Sequence, residues 1–467
     1  MGPTRCLSLL CAALVLWGCD SAQAPPTGLL PPGQAANGDR SDGVARVAPE
    51  RYIFPLRVDN QRIVDATGTP VFLHGDAAWS GIVNLTRDEI DHYLADRKRK
   101  GFTALKVNLI DWAFSDQTPG WRNADGHDPF LGTVDGYVPN MTRPNEPYWQ
   151  LADYFIRRAG EMGLIVVAFP SYSGWEQGFD GWAFGLYVNG VDRLRTYGEF
   201  VGARYADQPH VIWSTGGDWG PNGPQWDLRD HYAAVAAGIR ATDGDQLWTG
   251  HGGQESGLDA YAYIGLDLNT TYRYPVAEVP EAVYRDYTRS QALPFVFFEG
   301  RYENESEGTA RNMRYQAYTA LLGGAFGQFY GNRPVWYFGN GWQSALGDPG
   351  AMDMIHVGDL ARSRALHTLV PDYDGRVVTS DRGSRSDGNW VAAARAADGS
   401  TAVVYVPDSR AITVDLSQVR GAETQAWCFT PSTGEASDLG RYPANGVYSF
   451  GACASPDWVL VLDAVDG

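Results

Sequence analysis

Pro294-Phe295-Val296-Phe297-Phe298-Glu299-Gly300-Arg301-Tyr302-Glu303 is the stretch whose reading decides the fold. Val296, Phe297 and Phe298 form a short, fully apolar run, the pattern of a parallel strand buried on both faces. Pro294 suits the first strand position, where no ladder hydrogen bond is lost. Glu299 then breaks the run, and Gly300 lets the chain turn at once. A carboxylate at the C-terminal tip of a barrel strand is where such folds keep their chemistry. The plainer alternative is a strand-end glutamate held structurally by Arg301 or another cation.

Outward from there, His210–Asp218 repeats the plan: an apolar run, small residues, then an acid at the exit. Gly216 and Gly217 allow close backbone approach, and Trp213 and Trp219 flank the segment. Alone, Gly-Gly-Asp also reads as a turn in which Asp218 caps the next segment. Two acids at two strand exits, about 80 residues apart in the chain, are what a glycosidase pair looks like in sequence.

The surrounding chain alternates strand and helix. Strands are expected at Pro70–Gly75, Ala104–Ile110, Leu164–Phe169, Val211–Trp213, Leu247–Thr249, Leu266–Thr270, Phe295–Phe298 and Gly324–Tyr330. A capping box, Thr86 with Glu89 three residues on, opens a helix that ends basic at Arg97–Lys100 before Gly101. Further helices are expected at Tyr148–Met162 and Val191–Tyr205. Eight such units predict an α/β fold, a (β/α)8 TIM barrel over residues 51–371, with Asp218 and Glu299 after its fourth and seventh strands. A small hairpin between Arg51 and Val71 precedes it. From residue 372 to 467 the pattern becomes short strands (Trp390–Arg395, Thr401–Val406, Ala411–Leu416, Thr424–Phe429, Trp458–Leu462), a small all-β sandwich.

The N-terminus reads as a targeting segment, with Arg5 supplying the charge and Leu7–Trp17 an apolar stretch too short to span a bilayer. Leu16-Trp17-Gly18-Cys19 is similar to a lipobox, which makes residues 1–19 a signal peptide with Cys19 lipidated. Ala22-Gln23-Ala24 offers an ordinary cleavage site instead, disfavoured by Pro25. Residues 20–50, rich in Pro, Gly, Ala and Asp without periodicity, read as a disordered linker. The expected location is the bacterial envelope, as a lipid-anchored periplasmic or cell-surface protein, monomeric and touching membrane through the anchor only. Cys428 and Cys453 remain after the leader cysteines and are predicted to pair as a disulfide.

The 467-residue chain carries a formal charge of −18, which argues against nucleic-acid binding. No Cys/His spacing suggests zinc or another metal, and there is no Gly-rich phosphate loop and no Gly-x-Ser-x-Gly elbow. Hydrolysis at a carboxylate pair needs no cofactor.

Several stretches together resemble a known family, the apiosidase-like glycoside hydrolases, whose barrel precedes a domain of collagen-binding type. They are Phe72-Leu73-His74-Gly75-Asp76-Ala77-Ala78-Trp79, Leu85-Thr86-Arg87-Asp88-Glu89, Leu94–Phe102, Ile212–Asp218, Phe298–Glu303 and Asp457–Asp463. The resemblance implies a retaining glycosidase acting on an oligo- or polysaccharide, with Asp218 as acid/base and Glu299 as nucleophile; His251 matches a histidine near the sugar. The exits of the third and sixth strands, Ser171–Trp175 and Thr271–Tyr274, depart from the family pattern, so apiose specificity does not follow.

Candidate substrate-binding residues are Asp76, Trp79, Asn108, Asp111, His251, Tyr272, Glu303 and Trp336. Glu303 is the rival of Glu299, with a sugar hydroxyl or a neighbouring base as its expected partner. Packing under the loops is the plain alternative for Trp79 and Trp336, a turn role for Asp111 and a structural acceptor role for Asp76. Two functions remain open: a hydrolase of plant or microbial polysaccharide, and a non-catalytic glycan-binding surface lipoprotein. Adhesion through the C-terminal domain has no support in Asp374–Gly467, which shows no collagen-specific feature; a brace for the barrel is expected there instead.

Overall fold

The computed structural model describes residues 48–49, 51–113, 121–242, 244–289, 293–380, 382–453 and 455–465. The expected leader, Cys19 and nearly all of the expected linker lie outside these.

Eight parallel strands make the central sheet: β1 Leu73–Ala77, β2 Ala104–Asn108, β3 Ile165–Phe169, β4 Val211–Gly216, β5 Trp248–His251, β6 Asn269–Tyr272, β7 Phe295–Glu299 and β8 Gly327–Tyr330. They are hydrogen-bonded in the order β6-β7-β8-β1-β2-β3-β4-β5. At the seam Thr249 donates to the Leu268 carbonyl at 3.0 Å, bringing β5 and β6 together in a nearly closed barrel. The principal helices between strands are α1 Arg87–Arg99, α2 Glu146–Glu161, α3 Ala183–Tyr205, α4 Arg229–Thr242, α5 Val279–Tyr287, α6 Ala310–Leu322 and α7 Pro349–Ser363. The Thr86–Glu89 box does open α1, the Thr86 amide donating to Glu89 at 3.0 Å.

Strand parity explains the apolar runs. In β7, Val296 and Phe298 point into the barrel while Phe295 and Phe297 pack outward against Val279, Val283 and Ala320, so neither face is free for a polar residue. The pairing with β6 then slips: Thr271 faces Phe297, but Tyr272 faces Glu299. This extra residue in β7 re-aims the chain, so Glu299 follows Phe298 toward the interior instead of the helices. In β2, Leu105 and Val107 face the helices and Ala104 lies inside, which puts Lys106 in the barrel interior.

The second domain has a six-stranded antiparallel sheet and a small second layer. In chain order its strands are β9 Val370–Pro371, β10 Ala392–Arg395, β11 Thr401–Val406, β12 Ile412–Asp415, β13 Glu423–Phe429, β14 Ala436–Pro443, β15 Val447–Phe450 and β16 Trp458–Val465. The large sheet runs β9-β10-β11-β16-β13-β14, and β12 pairs with β15. One face of the large sheet buries Val404, Leu460 and Leu462 against Ile412, Val414 and Phe450 of that pair. Its other face buries Val403, Tyr405, Phe429 and Val461 against Met313, Tyr318 and Leu322 of α6 and Met354 and Val357 of α7. The barrel and the sheet thus share one core. Cys428 and Cys453, with Cα atoms 6.2 Å apart, form a disulfide. Among the described residues no helix is long and apolar enough to cross a membrane.

Candidate active site

The C-terminal ends of β4, β5 and β7 bring three titratable groups together. Past β4, Gly216 has φ +103°, and a Cβ there would lie 2.1 Å from the His251 carbonyl. Only glycine lets β4 pass β5 this closely, and Asp218 follows two residues later. His251 Nε2 stands 3.0 Å from Glu299 Oε2 and 3.8 Å from Asp218 Oδ1, contacts set by charge and not by an aligned hydrogen bond. The Tyr172 hydroxyl donates to Asp218 Oδ2 at 2.9 Å. One donor atom each from Asp218, His251 and Glu299 lies within 4.8 Å of the others.

Lys106 completes the cluster. Its ammonium is fully buried, donates to Glu299 Oε2 at 2.7 Å and to the Phe298 carbonyl at 2.9 Å, and lies 4.5 Å from the Trp79 ring centre and 4.7 Å from that of Phe298. Burial alone would raise the Glu299 pKa, but the Lys106 charge and the His251 contact outweigh it and hold the carboxyl down at about 2. Burial likewise works against a charged His251, yet its contacts to Asp218 and Glu299 raise its pKa. For Lys106 burial prevails, and its pKa is lowered despite Glu299. The Asp218, His251 and Glu299 donors have the spacing of a metal site, but Lys106 already supplies the cation that Glu299 needs.

Above the cluster a cavity of about 300 Å³ is lined by Trp79, Tyr172, Trp175, Asp180, Asp218, Gln254, Tyr272, Tyr274, Glu299, Tyr302, Glu305 and Trp336. A larger cavity, about 1090 Å³, opens at the other end of the strands near Pro294, Phe295 and Phe326. The smaller one is the better site, because the acids converge there.

The expected site residues divide. Asp218, Glu299, Trp79, Tyr272 and Trp336 line the cavity, and His251 lies beneath it, in contact with both acids. Four others turn away from it. Asp76 is fully buried beside α1, bonded to Tyr93 at 2.6 Å and Arg97 at 2.5 Å, and serves as a structural acceptor. Asn108 donates to Asp111 at 2.9 Å, both enclosed in the protein, and burial pushes Asp111 up to about 7. Glu303 accepts from Tyr330, Asn332 and the Gly350 amide, so it ties its loop to β8 and α7, with its carboxylate used up away from any sugar. Sequence reasoning missed Lys106, Tyr172, Trp175, Asp180, Gln254, Tyr274, Tyr302 and Glu305. Lys106 had a signal: a lone lysine in an apolar strand, two residues from Ala104 and hence on the same face. Tyr172, Trp175 and Tyr274 sit on the two loops that depart from the family pattern.

A family model described as "Apiosidase-like, catalytic domain" matches residues 58–368, and one described as "Putative collagen-binding domain of a collagenase" matches residues 370–463. Among solved structures, one named "Glycoside hydrolase" is 25% identical with a TM-score of 0.74, covering 89% of this chain and 98% of that one. A glycoside hydrolase family 5 structure from Bacteroides vulgatus is 23% identical with a TM-score of 0.75, covering 89% and 95%. No curated protein matches the chain. With its carboxylates at the strand ends and the family match over most of its length, the chain belongs to the apiosidase-like glycoside hydrolases.

Proposed function

We propose that this hydrolase cleaves glycosidic bonds in a plant or microbial polysaccharide by a retaining mechanism. Glu299 acts as nucleophile and Asp218 as acid/base. The observation that carries this reading is the close approach of the two carboxylates, which with His251 offer atoms within 4.8 Å of one another. Retaining pairs stand about 5–5.5 Å apart, whereas inverting pairs leave roughly 6.5–9.5 Å for a water.

Charge supports the assignment of roles. Glu299, at the strand tip and held ionised by Lys106, is ready to attack the anomeric carbon. Asp218 is the more solvent-accessible acid, its side chain 25% exposed, and can give a proton to the departing glycosidic oxygen. In the second half-reaction Asp218 takes a proton from water as that water displaces Glu299 from the glycosyl-enzyme. His251, between the two, links their charges. The leader and Cys19 support a lipid-anchored envelope location, where polymeric glycans are met.

The test is reducing-end release from a panel of pectic and hemicellulosic glycans, with Glu299→Gln and Asp218→Asn beside the wild type. Both variants should lose about 10³-fold or more of the activity, in the range of removed catalytic groups. Proton NMR of the first-formed anomer should show retention. Inversion, or activity surviving in Glu299→Gln, would overturn the assignment; binding of a glycan that is never cleaved would make the chain a glycan-binding protein.

A further inference from the structure

We infer that Glu305 is the carboxylate that grips the glycosyl unit, and that the cavity takes an uncharged sugar through two neighbouring hydroxyls. This rests on the glycosidase reading above and deepens it.

Glu305 is not held in the way a structural acid is held. Its Oε2 accepts from the Tyr274 hydroxyl and its Oε1 from the Trp336 indole, each at 2.8 Å. Each oxygen therefore keeps acceptor capacity unused, since a carboxylate offers about four lone-pair sites. Neither partner is charged, and among the described residues no basic side chain forms an ion pair with Glu305. Burial raises its pKa, which reflects the cost of placing this charge in an aromatic wall.

The loop has been built to hold it there. Asn304, at φ +65°, takes the left-handed conformation that asparagine tolerates, and Ser306, at +24°, takes one that side chains avoid. The Asn304 side chain ties the loop to Asp348 at 2.8 Å and to the Arg333 carbonyl at 3.1 Å, and the Gly308 amide closes it onto the Glu305 carbonyl at 2.7 Å. A strained, pinned loop that presents an incompletely satisfied carboxylate to a cavity is the construction of a binding residue.

The charge of the cavity limits what binds. Asp180, Asp218, Glu299 and Glu305 line it and Lys106 and His251 lie beneath Glu299 and are spent on it, while Arg301, 4.1 Å from the Tyr274 ring centre, and Arg333, whose charge reaches Glu305, stand outside the lining. A uronate or sulfated sugar would bring a further negative charge among four carboxylates. An uncharged sugar instead donates hydroxyls to Glu305 in charge-assisted hydrogen bonds and lays its C–H faces on Trp79, Trp175 or Trp336. Two oxygens of one carboxylate suit two adjacent hydroxyls, which makes Glu305 a reader of sugar configuration.

Two measurements test this. First, calorimetry on the wild type and on Glu305→Gln uses methyl glycosides of neutral pentoses and hexoses beside methyl galacturonate and methyl glucuronate. At least one neutral glycoside should bind, the uronates should not, and Glu305→Gln should weaken the neutral ligand at least tenfold. Second, on the glycan that the wild type hydrolyses, Glu305→Gln should lower kcat/KM at least 100-fold. The monodeoxy substrate lacking the contacted hydroxyl should lose as much with the wild type but little more with Glu305→Gln, a non-additivity that a merely structural role would not give. Glu305→Asp, which keeps the charge but withdraws it, serves if Glu305→Gln fails to fold, and should show the same losses. A uronide bound or cleaved as well as a neutral sugar, or Glu305 variants at wild-type levels, would overturn the inference while leaving the Glu299 and Asp218 results intact. Wild-type levels in the Glu299 and Asp218 variants would instead overturn the underlying reading.

Discussion

Two of the regions that bury ion pairs finish them differently. Between the barrel and the C-terminal sheet, Arg314 of α6 grips Asp457 through Nε and an Nη at 2.8 and 2.6 Å, and reaches Asp353 of α7 at 2.5 Å. Tyr405 adds a third hydrogen bond to Asp457 at 3.1 Å. Arg364 holds both oxygens of Asp463, and Thr401 caps one of them at 2.9 Å. Both oxygens of Asp457 and both of Asp463 are held by an arginine. At the cavity, by contrast, Asp218 and Glu305 keep acceptor sites turned toward open space, and Glu299 is charged but partnered from one side only. In these two regions a carboxylate clamped by an arginine marks the joint and one facing a cavity marks the site; an unpaired oxygen alone does not decide, since the structural Asp76 keeps Oδ1 without a hydrogen bond.

The largest effect should come from breaking the joint. Arg314→Met leaves Asp457 buried without its cation, and the expected loss is about 3–5 kcal/mol of stability. Urea denaturation would show it as a lower midpoint, with activity per folded molecule unchanged. A folded Arg314→Met protein with much reduced activity would erase the distinction between the two regions. It would mean that the C-terminal domain shapes the cavity as well as bracing the barrel.

A smaller effect should follow from removing the one-sided partner of Glu299. In Lys106→Met, burial remains to raise the Glu299 pKa while the main opposing charge is gone. With its pKa held at about 2 in the wild type, Glu299 should stay ionised well into the acid range and so should not limit activity on the acid side. In the variant the acid limb of kcat/KM should move up into the measurable range. The loss should be about tenfold greater at pH 5 than at pH 8, which requires the Glu299 pKa to rise from about 2 to about 6 once the Lys106 charge is removed. An equal loss at both pH values would mean that Lys106 acts on shape alone.

What the sequence disclosed follows the same division. The barrel was legible because its strands are buried on both faces and so are written as apolar runs. β3 and β7, at Ile165–Phe169 and Phe295–Glu299, differ by one residue at an end from the expected spans. β14 and β15 were missed because Ala436–Pro443 and Val447–Phe450 are largely exposed and carry no such run. In α3, Gly190 with φ +70° interrupts a helix that begins eight residues earlier than expected, since the turn before the glycine serves the rim of the barrel. Within the site, residues at strand tips could be found from parity and exits. Glu305 could not: its place depends on two positive-φ residues in a loop, which no periodicity records. Asp76, read at a strand exit, and Glu303, read in the loop after one, misled because such an acid looks the same in sequence whether an arginine or tyrosine inside the fold consumes it or a cavity awaits it.

Asp111 lies between the two classes and gives the smallest and most discriminating test. It is enclosed, accepts from Asn108 at 2.9 Å, and has no cation against it; its other oxygen is buried without a hydrogen bond. Burial lifts its pKa to about 7, so the folded protein binds this proton more tightly than the unfolded chain does. The sign follows directly. This group costs nothing below the unfolded carboxylate pKa near 4, erodes stability as pH rises from there to about 7, and exacts its full penalty above 7. Asp111→Asn keeps the shape and removes the charge, so the variant should match the wild type only at about pH 4 and below and melt about 2 °C higher at pH 8. Equal melting temperatures at pH 8 would mean that the buried oxygen finds a compensating partner, and Asp111 would then join the structural acids of the joint. A pH 8 stabilisation accompanied by lost activity would move it the other way, into the working set with Asp218 and Glu299.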